Sequence, residues 1–146
     1  MSAKTDYLEN KIIDWLFRGQ TFTPPATLYV GLFTANPSDT GGGTEVTGGS
    51  YARVAVTGSL ANWAGTQSAG STTASSGTGG TTSNNNAITF PSPTANWGVV
   101  TGFGVFDAAS GGNLLIYGSL TTSKTINNGD AAPSFAAGAL TYQEDN

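Results

Sequence analysis

The stretch WGVVTGFGVFDAASGGNLLIYGSLT, residues 97–121, decides the fold class of this chain. Two runs rich in Val, Phe, Leu, Ile and Tyr, residues 97–107 and 113–121, flank the turn sequence AASGG. A Gly-Gly connection between two such runs is typical of a β-hairpin. The stretch therefore predicts two antiparallel strands joined by a short turn.

The same pattern extends outward from this hairpin in both directions. Further short strand-like runs, separated by segments rich in Gly, Pro, Asn and Asp, occur at residues 26–34, 51–57, 88–90, 124–126 and 134–143. Short strands of this kind, separated by turns and without alternating helices, are typical of an antiparallel β-sandwich or jelly roll. The sequence therefore predicts a mainly β, sandwich-like or jelly-roll-like antiparallel fold in a single domain, residues 1–146.

Residues 5–18 contain the one stretch with helical periodicity. Thr5 is the predicted N-cap, and Gly19 follows the end of the apolar pattern. The apolar stripe is large for so short a helix. It supports two interpretations: the stripe covers the domain's own core, or it docks onto a partner chain or a symmetry mate. The candidate docking residues are Leu8, Ile12, Trp15, Leu16 and Phe17.

Residues 58–86 form a low-complexity segment rich in Gly, Ser, Thr and Asn. Apart from Leu60 and Trp63 it has almost no large apolar side chains. Such a segment cannot bury enough apolar surface to order itself independently. We therefore predict a long exposed loop between strands.

The residue types that most enzymes rely on are scarce. The chain has no histidine and no cysteine, which removes the commonest general base, the usual transition-metal ligand and all thiol chemistry. Among the carboxylates, only Asp107 and Asp130 lie in turns beside strong strands, where Asp commonly serves the turn geometry. The sequence therefore predicts no catalytic residue, no metal site and no cofactor.

The charge pattern also excludes classes of partner. The chain carries five Lys and Arg residues and a net charge of −4, so it cannot form the basic patch that a nucleic-acid-binding face needs. No apolar run approaches the roughly 18 residues of a membrane span, and the first ten residues lack the apolar core of a signal peptide. We therefore expect no binding of nucleic acid and no membrane insertion.

Two tryptophans raise an alternative binding function. Trp63 and Trp97 are candidates for stacking against a sugar ring, as aromatic residues do in carbohydrate sites. Trp97 precedes a Gly-spaced strand, which equally favours a place in the core or in an interface. A host-surface glycan therefore stays an alternative partner at this point.

Three segments in a fixed order carry a family resemblance. They are LENKIIDWLFRGQTFTPPATLYVGLFTANPSD from residue 8, EVTGGSYARVAVT up to residue 57, and FPSPTANWGVVTGFGVFDAASGGNLLIYGSLTTSKTINNGD over 90–130. Together they resemble a family of small structural proteins of tailed bacteriophages, whose members often carry the label tail fibre protein. The resemblance covers most of the chain and skips the low-complexity middle.

The resemblance implies a virion component that is assembled in the host cytoplasm and has no enzymatic role. Two positions on the particle stay open, a capsid decoration or cement protein and a small tail-fibre or adaptor protein. In both cases we expect a homo-oligomer, most simply a trimer because of particle symmetry, in contact with other phage structural proteins such as the major capsid or tail protein. A receptor-recognition module that binds host glycan is the alternative.

Overall fold

A computed structural model describes residues 1–144 of the chain. These residues form an antiparallel, mainly β fold with one N-terminal helix, which confirms the predicted fold class. Asp145 and Asn146, at the end of the predicted domain 1–146, lie outside the described residues. In chain order the elements are β1 (Ser2–Lys4), α1 (Asp6–Phe17), β2 (Thr27–Ala35), β3 (Thr44–Glu45), β4 (Val54–Thr57), β5 (Thr81–Ser83), β6 (Ile88–Thr89), β7 (Gly98–Phe106), β8 (Leu114–Ile126), β9 (Ser134–Phe135) and β10 (Thr141–Gln143).

A six-stranded main sheet is built around the hairpin predicted from residues 97–121. Its strands lie in the order β1-β8-β7-β2-β3, and β4 pairs with β2. Strands β7 and β2 pair through directly opposed glycines, Gly31 and Gly104. A Cβ atom on Gly104 would lie 2.7–2.8 Å from the side chains of Leu114 and Phe33. The two glycines therefore let large side chains lie close against the middle of the sheet.

The hydrophobic core lies between the main sheet and two small sheets, β6–β9 and β5–β10. The main sheet contributes the opposed pairs Val30–Val105 and Leu32–Phe103. Phe135 of β9 completes the packing with its ring edge-to-face against Phe103, the two centroids 5.9 Å apart. Other buried members of the same cluster are Val46, Ile88, Phe90, Trp97, Val100, Ile126 and Leu140.

Strand β8 and its neighbour β1 differ from the sequence-based expectation. The predicted runs 113–121 and 124–126 belong to one strand, Leu114–Ile126, which is interrupted by a bulge opposite Thr101. The N-terminal residues Ser2–Lys4 pair with Gly118–Ile116 of β8 and form the edge of the main sheet. Their sequence, SAK, has no β-favouring residue, so pairing with an available strand edge overrides the local propensity.

The segment 58–86 is more ordered than its composition predicted. It contains β5, an isolated bridge between Trp63 and Asn84, and the buried residues Ala64 and Asn84, while residues 72–79 are exposed. Hydrogen bonds from amide side chains order this segment, in place of contacts between apolar side chains. The Asn84 side chain accepts from the Leu140 N–H at 2.9 Å and donates to the carbonyls of Asn86 and Ala136, each also at 2.9 Å. The segment is therefore an exposed loop at 72–79, and it is packed onto the domain around Ala64 and Asn84.

Candidate docking surface

Helix α1 is fixed to the main sheet at its N-terminal end. Thr5 precedes the helix and is buried, and its hydroxyl donates to the Leu114 carbonyl of β8 at 2.6 Å. The next backbone N–H, that of Asp6, donates to the Asp39 carbonyl at 2.9 Å. Thr5 thus occupies the predicted N-cap position, but its hydroxyl makes no cap hydrogen bond to the helix and attaches the helix to β8 instead.

The predicted apolar stripe divides along the length of α1. Leu8 and Ile12 are half-buried against the domain, whereas Trp15, Leu16 and Phe17 are 55, 59 and 77% exposed. Ile13 is also exposed. At 1.5 Å per residue, the 12-residue helix is about 18 Å long, so its last turn carries the stripe beyond the part of the domain that buries Leu8 and Ile12. We call Ile13, Trp15, Leu16 and Phe17 the apolar tip.

The end of α1 is sharply defined, which holds the apolar tip in a fixed position. The Arg18 N–H and the Gln20 N–H both donate to the Asp14 carbonyl, at 3.1 and 3.0 Å. Gly19 between them has φ +68°, a left-handed conformation that suits glycine. The Arg18 guanidinium also pairs with the Asp14 carboxylate at 2.9 Å. The helix therefore ends immediately after Phe17.

An exposed apolar cluster of this size indicates a contact surface. With aromatic residues that bury about 150–250 Å² each, the exposed parts of the tip amount to roughly 400 Å². The largest apolar patch on a soluble monomer is itself about 300–600 Å² and is often functional, so the tip is a candidate contact surface. All five candidate docking residues thus lie on one helix, and the last three face solvent. The docking role itself stays a prediction.

A polar cluster that the sequence did not predict consists of Glu45, Tyr51 and Arg53. The Arg53 guanidinium donates to both carboxylate oxygens of Glu45 at 2.8 Å, and the Tyr51 hydroxyl donates to Oε1 at 2.9 Å. The Tyr51 oxygen in turn accepts from the Leu32 N–H of β2 at 2.8 Å. Burial, reinforced by the Glu45 charge, raises the pKa of Tyr51 above its ordinary value, so the phenol stays a hydrogen-bond donor.

This cluster attaches the turn between β7 and β8 to strand β2 of the main sheet. The Arg53 Nη1 donates to the carbonyls of Ala108 and Gly111 in the turn between β7 and β8, at 2.8 and 2.9 Å. Its guanidinium carbon lies 3.3 Å from the centre of the Phe106 ring. Because these groups bind one another, the geometry supports a structural role. The only signal in the sequence was Arg53 itself, the one charged residue in the predicted strand 51–57.

Replacing Arg53 with Met is expected to lower the free energy of unfolding by about 2–3 kcal/mol. The change leaves the mostly buried Glu45 carboxylate and two loop carbonyls without their donor. Urea denaturation measures the effect. Arg18→Met is the matched control, because its Asp14 pair is exposed and worth about 0.3–0.5 kcal/mol. Equal losses for the two variants would contradict the role of the cluster.

A groove of about 840 Å³ lies beside the edge strand β1. Apolar side chains of Phe103, Leu120 and Phe135 contribute to its lining, and the bulge of β8 contributes the Thr121–Thr122 side of it. An ion pair between Lys4 and Glu144 stands at the groove. We call this depression the edge groove. Its residues come from both ends of the chain and from β7 and β8, which is why no local sequence pattern indicated it.

The Lys4–Glu144 pair connects β1 to the residue after β10. Burial disfavours the ionised form of Glu144, but hydrogen bonds from the Lys4 ammonium and the Tyr142 hydroxyl outweigh this effect. The pKa of Glu144 therefore lies below its ordinary value. The carboxylate stays ionised near neutral pH and keeps the contact between the first and last strands.

The two tryptophans proposed to stack a sugar differ in exposure. Trp97 is only 5% exposed, donates its indole N–H to the Gly49 carbonyl at 3.0 Å, and packs edge-to-face against Tyr51. A ring so deeply buried offers no face to a sugar, which corrects the stacking prediction at Trp97. Trp63 is partly buried and packs against the core. Glycan stacking at Trp63 stays a prediction.

The carboxylates of Asp107 and Asp130 accept hydrogen bonds within their own turns. Asp107 accepts hydrogen bonds from the backbone and side-chain nitrogens of Asn113, both at 2.7 Å. Asp130 accepts from the Asn127 N–H at 2.8 Å. These contacts support the turn interpretation of both residues. Within residues 1–144, no cluster of three or more His, Cys, Asp or Glu side chains is arranged to hold a metal ion.

No helix within residues 1–144 has the length and apolar character to cross a membrane.

Comparison with known proteins identifies the family to which the chain belongs. No curated protein sequence matches the chain. Residues 3–143 match the model of the family described as Podophage GP4 fiber I protein gp80. The match spans nearly all of the chain, including the helix, the main sheet and the middle segment, and it confirms the resemblance to phage tail-fibre-type proteins. The chain therefore belongs to the podophage fibre I protein gp80 family, and it is a structural component of a bacteriophage particle.

Proposed function

We propose that the chain is a subunit of a tail-associated fibre of a podophage and works through protein–protein contacts rather than catalysis. The observation that carries this proposal is the apolar tip: a helix attached to the sheet at Thr5 presents its largest apolar side chains to solvent at its far end. Such an arrangement stabilises no core of its own. It supplies a preformed surface for attachment to another virion protein or to a second copy.

The remaining surface supports a role in a symmetric assembly. No charged residue occurs between Arg53 and Asp107, so a large part of the chain meets its neighbours without like-charge repulsion. Contacts repeated by symmetry raise the stability of an assembly without demanding strong single contacts. We propose a homotrimer as the unit of assembly.

Capsid decoration is the competing position on the particle, and the number of copies separates the two. A protein mounted at the tail occurs in about a dozen to a few dozen copies set by the rotational symmetry of the tail, while a capsid coat needs about several hundred. Quantitative mass spectrometry of purified particles measures this number directly. We expect the low value. Several hundred copies would overturn the tail assignment, and a chain absent from purified particles would overturn the whole proposal.

A further inference from the structure

We infer that α1 binds to a different virion protein, in a groove that is apolar at one end and has basic side chains along its rim. This inference rests on the proposed function and names the chemistry of the partner that the apolar tip contacts. Two features of one helix face carry it: exposed apolar side chains at the C-terminal end of α1 and exposed carboxylates at its N-terminal end.

One side of α1 carries both features. Successive helical residues are about 100° apart, so five exposed side chains share an arc of about 100° of the helix circumference: Asp6, Glu9, Ile13, Leu16 and Phe17. We call these five residues the docking face. Trp15 points to the opposite side of the helix, in line with the half-buried Leu8 and Ile12. Trp15 therefore extends the stripe that faces the domain and does not belong to the docking face.

The C-terminal half of the docking face sets the apolar requirement. Ile13, Leu16 and Phe17 are 49, 59 and 77% exposed, and they follow one another at i, i+3 and i+4. This is the spacing with which an amphipathic helix anchors its apolar face in a hydrophobic groove. The partner therefore presents an apolar groove to these three side chains.

The N-terminal half of the docking face sets the charge requirement. Among residues 1–144, the ion pairs use the carboxylates of Asp14, Glu45 and Glu144, and not those of Asp6 and Glu9. Along the helix axis, Asp6 and Glu9 lie about 10 and 6 Å before the first apolar residue of the face. Complementary charges at a rim steer association and fix the orientation of the bound element. We therefore expect Lys or Arg side chains on the partner at these two distances from its apolar end.

A second copy of this chain does not meet the charge requirement. Three of its five cationic side chains, Lys4, Arg18 and Arg53, already form ion pairs within the chain. The other two, Lys11 and Lys124, lie on different elements, α1 and β8. Within residues 1–144 the chain therefore offers no basic rim, and the net charge of −4 makes two copies repel each other.

The area also disfavours the pairing of two apolar tips. Such a contact would bury roughly 400 Å² on each partner, about half of the 800 Å² per partner in a typical stable interface. A groove on another protein encloses the helix and adds the charged half of the docking face to the contact. The apolar tip and the carboxylates then act together on one partner.

The salt dependence of attachment tests the basic rim. The double variant Asp6→Asn and Glu9→Gln removes both charges and keeps the shape of the face. After particles are washed at about 0.05 M NaCl, we expect about fivefold fewer copies of this variant than of the wild type, measured by quantitative mass spectrometry. At about 1 M NaCl, where charges act over only about 3 Å, the wild type should fall to the level of the variant.

Two control variants separate the docking face from other effects. Thr72→Lys with Thr78→Lys changes the net charge by the same amount in the exposed stretch 72–79, and it should stay at the wild-type level. Asp6→Glu with Glu9→Asp keeps both charges and should also stay at that level. Equal retention of the Asn/Gln variant and the wild type at low salt would overturn the inference, and so would an equal loss in the Lys control.

Photo-cross-linking on the particle identifies the occupant. A benzophenone amino acid in place of Phe17 should form an adduct with another virion protein, in a segment that has Lys or Arg beside apolar residues. The same amino acid in place of Leu60, which is exposed outside α1, should not form this adduct. An adduct between two copies of the chain, or no adduct specific to position 17, would overturn the inference.

The failure of this inference differs from the failure of the proposed function. If the charge variant and the cross-link both contradict the basic groove while the chain is found on particles in low copy number, the inference is wrong and the proposed function stands. A chain absent from purified particles would overturn the proposed function, and the inference with it.

Discussion

Replacing Asn84 with Ala is expected to lower the free energy of unfolding by about 2–4 kcal/mol. The Asn84 side chain is buried and satisfies three backbone groups, the Leu140 N–H and the carbonyls of Asn86 and Ala136. Removing it leaves the Leu140 N–H, which belongs to a buried residue, without its partner, and an unsatisfied buried group costs about 1–3 kcal/mol. The Asn86 carbonyl also loses a bond, whereas the Ala136 carbonyl still accepts from the Ala139 N–H. Urea denaturation monitored by circular dichroism measures the loss.

Asn86→Ala is the matched control for this prediction, because Asn86 is the same residue type in the same segment and is exposed. Its amide makes only long hydrogen bonds, at 3.2 and 3.5 Å. We expect a change within about 0.5 kcal/mol, as for most surface substitutions. If both variants lose the same stability, Asn84 does not organise the middle of the chain.

Replacing both Trp15 and Phe17 with Ser is expected to release the protein from the virion without unfolding it. Both side chains are mostly exposed, so the isolated domain loses little buried apolar area. At an interface, truncation of one aromatic anchor commonly costs about 2 kcal/mol, which corresponds to about 30-fold weaker binding. The copies retained on purified particles, counted by mass spectrometry, should fall by at least that factor, with the β circular dichroism signal unchanged.

Leu60→Ser is the control for the double variant. Leu60 is 56% exposed, like Trp15, but lies outside α1. It should stay on the particle at the wild-type level. Two results would contradict the docking role of the tip: full retention of the Trp15/Phe17 double variant, or its unfolding, which would assign the stripe to the core.

The parts of the fold that follow from local pattern could be predicted from the sequence. The hairpin of β7 and β8 has a Gly-Gly turn between two apolar runs, and α1 has helical periodicity, so both are encoded within short segments. The division of the α1 stripe could not be predicted in the same way. Which end of a helix is covered depends on where the sheet ends, and here the attachment of Thr5 to β8 sets that position.

Features that depend on distant residues escaped prediction. The edge groove and strand β1 each combine segments that only the folded topology brings together. The order of the middle segment, residues 58–86, was underestimated for a different reason. Composition measures how much apolar area a segment can bury, and it does not register that one asparagine amide can bond three backbone groups at once.

The pairing of Lys4 with Glu144 has a practical consequence for anyone who modifies this protein. Because the first and last strands meet at the edge groove, a purification tag or fluorescent protein attached next to β1 or β10 would lie beside the same surface. Both common fusion designs would then crowd one face of the particle-bound molecule. The exposed stretch 72–79 contributes no residue to that groove, and it is the better place to insert a label or a displayed peptide.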